Sequence, residues 1–407
     1  MTIHDFDEIR PYNAEEMPVV FEELLRDRQF NAMMKGFLPW LPKGIRNGVL
    51  RLLMKGIRTP QDFQVRFMKP VVKLEIWKCT KGLTFGYPEG MDKGKRYLFM
   101  SNHRDIVLDS AFLDLELYNN NFVKTCEIGI GDNLLIYPWI KKLVRMNKCF
   151  TVRRGLTAHE MMRSSMLMSR YIHYAVNEKD ENIWIAQREG RAKDSDDRTQ
   201  DSVLKMFVMG YDNGNGNDNG NNKNIIEALR HLHIAPLTIS YEYDPCDYLK
   251  AKEFQLKRDV AGWKKTKQDD LDNMKTGILG KKGRVHYEIS PCIDDWLDTL
   301  DASLPKKELF RLVAEHIDRE IHSRYKIYPC NWIALDELKG SNDNCGRHYT
   351  EKDKAEFDKY IEGRIDKTQT EGFTPDRAYL RERIMTMYAN PLRNKLICAD
   401  GSADGIM

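Results

Sequence analysis

Residues 97–109 read Tyr97-Leu98-Phe99-Met100-Ser101-Asn102-His103-Arg104-Asp105-Ile106-Val107-Leu108-Asp109. The first four are a short apolar run of the kind that forms a buried strand. A histidine follows at the strand's end, with Asp105 and Asp109 close behind. This is one way a fold presents a general base, because imidazole titrates near neutral pH and a carboxylate fixes its tautomer. A His-x-Asp pair in a loop is also what an ordinary local hydrogen bond looks like, so the rest of the chain has to decide.

Outward from this stretch, six more strand-like runs occur at Leu83–Tyr87, Cys126–Ile130, Phe150–Val152, Asn182–Ala186, Ile234–Tyr241 and Val285–Ile289. Helix-like segments fill most of the gaps, and this alternation predicts an α/β sheet. Thr157-Ala158-His159-Glu160 is a capping box and opens a Met-rich helix reaching about Val176. Its methionines read as core filler rather than a cofactor box. Lys306–His322 is the best helix of the C-terminal part, which ends in a polar tail expected to be disordered. Asn213–Asn224 is nearly all Gly, Asn and Asp and reads as a flexible loop. His231 and His233 show no partners at metal-ligand spacing and read as structural. The expected division is a helical region over 1–78, an α/β domain over 79–295 and a helical extension over 296–407.

A chain of 407 residues with 42% hydrophobic and 31% charged residues can bury a large core. Its net charge of +3 argues against wholesale binding of nucleic acid. The eight cysteines are scattered without a Cys-x-x-Cys pair, which is neither a zinc pattern nor a disulfide framework. A cytoplasmic location fits. Residues 1–10 lack the basic and apolar blocks of a signal peptide, and no apolar run reaches the ~20 residues of a membrane span.

Residues 28–58 point instead to a membrane surface. Between Asp27 and Asp62 there is no acidic residue, while Arg28, Lys35, Lys43, Arg46, Arg51, Lys55 and Arg58 alternate with Phe, Met, Leu, Ile and Trp40. Pro39 and Pro42 split the segment into two short amphipathic helices. Basic charge beside Trp, Phe and Leu is the composition of an interfacial helix on an anionic leaflet. An ordinary helical hairpin packed on the main domain is the alternative.

Three more segments join strands to polar ends. Phe150-Thr151-Val152-Arg153-Arg154 places paired arginines after a strand, which suits capture of a phosphate or carboxylate. Trp184-Ile185-Ala186-Gln187-Arg188-Glu189-Gly190-Arg191 runs a strand into a charged glycine turn. Ile234-Ala235-Pro236-Leu237-Thr238-Ile239-Ser240-Tyr241 is an apolar strand suited to supporting a site or lining an acyl cleft.

In order, these four blocks resemble the motifs of the glycerolipid acyltransferase superfamily: Asn-His-x4-Asp, Phe-(Ile/Val)-x-Arg, Glu-Gly-x-Arg and a Val-Pro-rich strand. Two departures stand out. Position 108, where the family has its carboxylate, is Leu, and Arg191 follows Gly190 directly. The resemblance implies a central, mostly parallel sheet flanked by helices, with helical N- and C-terminal extensions. It also implies direct acyl transfer from an acyl-CoA or acyl carrier protein thioester to a glycerol-phosphate-type hydroxyl, with no bound cofactor or metal. His103 is then the base, with Asp109 as its favoured partner and Asp105 the second choice. Asn102, Arg153, Arg154, Glu189, Gly190 and Arg191 are the expected substrate-binding residues, with the arginines on the acceptor's anionic head. The expected setting is the inner face of the cytoplasmic membrane. A lyso-amino-acid lipid acceptor and an inactive lipid-binding relative are the competing readings. The helical region after Ile293 has no role assigned by sequence; a cap on the sheet and a docking surface for a carrier protein are both open.

Overall fold

Each of the seven expected strand runs is a strand in the computed structural model, which describes residues 2–37, 39–211 and 222–400. They are β1 (Thr80–Gly86), β2 (Leu98–Ser101), β3 (Cys126–Gly131), β4 (Cys149–Val152), β5 (Asn182–Ala186), β6 (Ile234–Tyr241) and β7 (Gly283–Ile289). They form one sheet in the order β1-β7-β6-β2-β5-β3-β4. All neighbours are parallel except β6 and β7. The fold is therefore α/β, a mostly parallel sheet flanked by helices.

The central strands are mostly apolar because both faces are covered: every residue of β2 and β6 is buried. Side chains alternate between two cores with the period of a strand. Leu98 and Met100 pack with Tyr171, Phe207, Leu229 and Ile317 on one face. Tyr97 and Phe99 pack with Phe112, Leu113 and Tyr287 on the other. From β2 the chain crosses to β3, beyond β5, and β6 later returns to the opposite side of β2. The end of β2 is thus a switch point, where open α/β sheets bind ligands.

The capping box at Thr157 forms as expected, with the Thr157 side chain accepting from the Glu160 amide at the start of helix Ala158–Asn177. The methionines do not all fill core, however. Met161 and Met162, in the first turns of this helix, are 55% and 62% exposed. Most of the Gly/Asn/Asp run lies outside the described residues, as do Leu38 and the tail after Asp400. Asn222–Asn224, read as loop, instead begin helix Asn222–Arg230. Helices Pro329–Lys339, Glu351–Asp366 and Arg377–Asp400 share an apolar cluster of their own, which includes Ile333, Ile361, Leu380 and Leu392.

The segment before the sheet forms helices Arg28–Phe37 and Lys43–Met54 on either side of the proline elbow. Phe30 and Leu50 are buried with Leu24, Phe63 and Met146. Other apolar side chains face outward: Trp40 is 71% exposed, Leu52 69%, Ile45 58% and Leu53 53%. Two of the seven basic residues are not free. Arg46 is buried, donating to the Asn31 and Leu41 carbonyls, and Arg51 pairs with Glu22 at 2.8 Å. Among the described residues no helix is long and apolar enough to cross a membrane.

Candidate active site

The loop between β2 and helix Leu108–Asn119 is fixed at both ends by side chains acting on backbone. Asn102 is fully buried, and its amide donates to the Ile239 carbonyl (2.9 Å) and accepts from the Ile239 amide (2.8 Å). It extends the β2–β6 pairing one step past the strand. At the other end, Asp105 Oδ1 accepts from the Val107 and Leu108 amides, both at 2.9 Å, and so caps the turn into the helix. Asp105 Oδ2 accepts no hydrogen bond and lies 3.8 Å from the buried Lys282 ammonium. Burial raises this carboxyl's pKa, with the neighbouring Asp109 adding to the rise and Lys282 opposing it.

Of the two aspartates in the loop, Asp109 is the one that contacts the imidazole. Asp109, in the first helical turn, is fully buried, and its Oδ2 lies 2.8 Å from His103 Nδ1. The same oxygen accepts the amides of Arg104 (2.6 Å) and Asp105 (3.0 Å), while Oδ1 accepts the Tyr241 hydroxyl (2.8 Å). The loop therefore wraps around this carboxylate, which absorbs the displacement of the acid from position 108. With its proton on Nδ1, His103 carries its lone pair on Nε2. The ring meets Trp184 edge-on at 5.5 Å, and Trp184 is itself held through Nε1 to Ser101 Oγ at 3.0 Å. Among the described residues, no serine, threonine or cysteine side chain hydrogen-bonds to His103.

Arg104 turns the other way, into the protein. Its Nη2 pairs with Asp197 Oδ2 at 2.8 Å, and Tyr325 donates to the same oxygen at 2.8 Å. Burial pulls this guanidinium's pKa down, but Asp197 and Tyr325 outweigh it and the net shift is upward. A small cleft lies beside this arginine, lined by residues that include Ser195, Ser240, Tyr241 and Asp244.

The other expected substrate-binding residues lie at the same carboxyl edge of the sheet with unequal freedom. Gly190 has φ +69°, a left-handed conformation that reverses the chain after Glu189. That reversal sends Arg191 inward. It is 7% exposed and donates to Asn273 Oδ1 at 2.9 Å and to the Arg104 carbonyl at 3.5 Å. It braces the histidine loop rather than lining an open headgroup pocket. Asn102 is likewise consumed by Ile239. Glu189 is exposed and pairs with Arg154, bridging the ends of β5 and β4. Arg154 Nε is buried without a partner, and Arg153 pairs with Glu8 at 3.0 Å.

Sequence reasoning missed Tyr241, Tyr287 and Trp184 as members of the site. Tyr241 was read only as the end of an apolar strand, although a polar tip closing such a strand is the signal that marks it. Tyr287, which donates to the Asp109 carbonyl at 3.1 Å, comes from β7 and carries no local signal. His233, read as structural, hydrogen-bonds to Asp294: its Nδ1 lies 2.5 Å from Asp294 Oδ2, where the start of β6 meets the end of β7.

Residues 83–216 match the acyltransferase family model. No curated protein matches the chain in sequence. Among solved structures, the chain is similar to the 1-acyl-sn-glycerophosphate (LPA) acyltransferase PlsC from Thermotoga maritima. The match has 14% identity and a TM-score of 0.37, covering 68% of this chain and 86% of that one. The family match spans β1 to β5 and contains the His103–Asp109 pair, Arg153, Arg154 and the Glu189-Gly190-Arg191 turn, so this part of the chain is similar to an acyltransferase domain.

Proposed function

We propose that this chain is an O-acyltransferase that moves a fatty acyl group from an acyl thioester to the hydroxyl of a glycerol-phosphate-type acceptor, 1-acylglycerol-3-phosphate or glycerol-3-phosphate. The observation that carries the reading is the 2.8 Å bond between His103 Nδ1 and Asp109 at the carboxyl end of β2. In this mechanism Nε2 takes the acceptor's hydroxyl proton as the oxygen attacks the thioester carbonyl. The tetrahedral intermediate collapses, the C–S bond breaks and the thiolate leaves. The imidazolium then returns its proton to the sulfur. Asp109 holds the imidazole's tautomer and balances the transient positive charge, without itself being protonated. Base catalysis of this kind contributes about 10²- to 10⁴-fold.

Arg153 and Arg154 are the cations at this edge accessible to an anionic headgroup, and a phosphate would draw them from Glu8 and Glu189. The acyl donor is acyl-CoA or an acyl carrier protein thioester. In our reading the outward-facing Trp40, Ile45, Leu52 and Leu53 seat the protein on the anionic inner face of the cytoplasmic membrane, where the acceptor resides.

One observation favours a second acceptor class. Arg191 is buried and the other two arginines are paired with carboxylates, an arrangement that a lyso-lipid without phosphate, such as an amino-acid lipid, would not disturb. The test offers one acyl thioester with each of the three acceptors on liposomes. Product from a phosphate acceptor supports the first reading, and product from the amino-acid lipid alone supports the second.

A further inference from the structure

At the edge of the sheet opposite His103, three side chains with no part in acyl transfer converge. His233 immediately precedes β6, and Cys292 and Asp294 follow β7. Because β6 and β7 are antiparallel, the start of one lies beside the end of the other. The Ile293 amide donates to the Ile234 carbonyl at 3.0 Å, clamping the turn that carries Cys292 and Asp294 onto the β6 start. His233 holds a left-handed backbone, φ +49°, which a non-glycine residue adopts at a cost. The imidazole nitrogen, the thiol sulfur and a carboxylate oxygen all lie within 4.8 Å of one another.

We propose that His233, Cys292 and Asp294 form a site for a thiophilic divalent cation, with zinc the best fit and water completing the coordination. The first argument is the donor set: one imidazole, one sulfur and one carboxylate is a zinc-type combination, and the thiolate disfavours the hard cations magnesium and calcium. The second is independent of it. Asp294 is 9% exposed, and no N–H or O–H donor reaches its buried Oδ1, although a lone carboxylate oxygen inside a protein needs one; the Cys292 thiol is the polar group left beside the carboxylate. Its other oxygen takes His233 Nδ1 at 2.5 Å and Lys95 Nζ at 3.3 Å. When the ion binds, the Cys292 S–H bond breaks and its proton passes to solvent. The sulfur–metal bond forms, and the His233 proton leaves Nδ1 for Nε2 by exchange with solvent, which frees the Nδ1 lone pair for the ion. Thiolate and carboxylate together then balance the divalent charge. The bound ion ties the start of β6 to the end of β7, so its role is to brace the sheet that holds Ile239 and Tyr241 under the histidine loop.

The test uses the full chain, stripped with a chelator and titrated with Co²⁺. One cobalt per chain should bind with a near-ultraviolet thiolate charge-transfer band, and Zn²⁺ should displace it and raise Tm. Cys292→Ser should lose the band. Asp294→Asn, nearly isosteric and the safer variant for folding, should bind at least about tenfold more weakly. Cys398→Ser, far along the chain, should bind as the wild type does. Absence of the band in the wild-type protein would overturn the proposal. So would a band retained in Cys292→Ser, or unchanged affinity in Asp294→Asn.

Discussion

The Tyr241 hydroxyl, from the end of β6, donates to Asp109 at 2.8 Å and joins the carboxylate to a strand that the histidine loop itself does not contain. Burial and the Asp109 charge push the Tyr241 phenol well above its ordinary pKa, so it remains a donor. Tyr241→Phe leaves one carboxylate oxygen unpaired in a buried site, at a cost of about 1–3 kcal/mol. We expect kcat to fall about tenfold with KM little changed. Steady-state kinetics together with thermal denaturation separate this loss from global destabilisation.

Asp109→Asn removes the charge that orients His103 and permits the wrong tautomer. In the serine-protease template the same change costs about 10⁴-fold in kcat, and a loss of at least about 10²-fold is expected here. Because Asp105 acts as a cap, Asp105→Asn should retain far more activity than Asp109→Asn. The ratio of the two rates is the readout.

Asn102→Ala strands the amide and carbonyl of Ile239 in the interior. Two buried groups losing their partners cost about 2–4 kcal/mol. Denaturant unfolding should show that loss, and activity should fall with it because the β2 end is released.

Asp114 gives a pH prediction remote from the reaction. It is buried, accepting from Gln64 Nε2 at 3.0 Å and from the Cys126 amide at 2.7 Å. Burial raises its pKa to about 7, although the Cys126 amide opposes the rise. An unfolded aspartate loses its proton near pH 4, so between about pH 4 and 7 the folded state binds more protons than the unfolded one. The contribution of Asp114 to stability is therefore fully present below about pH 4 and declines as pH rises through 7, by up to about 4 kcal/mol. Unfolding free energies across this range should fall with pH in the wild type and vary less in Asp114→Asn.

All seven strands could be read from sequence because their apolar runs are short, rich in Val, Ile, Phe and Tyr, and bounded by polar or glycine turns. The capping box located the helix at 158 for an equally local reason. The site was legible only in part. His103 and its neighbouring carboxylates lie in one loop, and the loop's own amides then select Asp109. The inward turn of Arg191 and the pairing of Asn102 with Ile239 depend on strands that meet only in the fold. His233 is separated from Cys292 and Asp294 by β6, two helices and β7, so no spacing pattern connects them. Arg46 was read as a surface charge because its composition window was basic, whereas carbonyls at Asn31 and Leu41 draw it inside.

Membrane seating is tested by replacing Trp40 and Leu52 together with Ala. Both are largely exposed, so folding should be unaffected, while each loses about 1–3 kcal/mol of apolar transfer on binding. Co-sedimentation with anionic liposomes should weaken at least about tenfold, and raising salt should weaken it further. Binding equal to wild type would place the membrane contact elsewhere.

The most direct test of the account is acyl transfer by the purified protein on liposomes, comparing wild type with His103→Ala across the acceptor panel. Wild type should form the acylated product, and the variant, still folded and still bound to the liposomes, should be slower by about 10²- to 10⁴-fold. Equal turnover by the two proteins, or none by wild type with any acceptor, would contradict it.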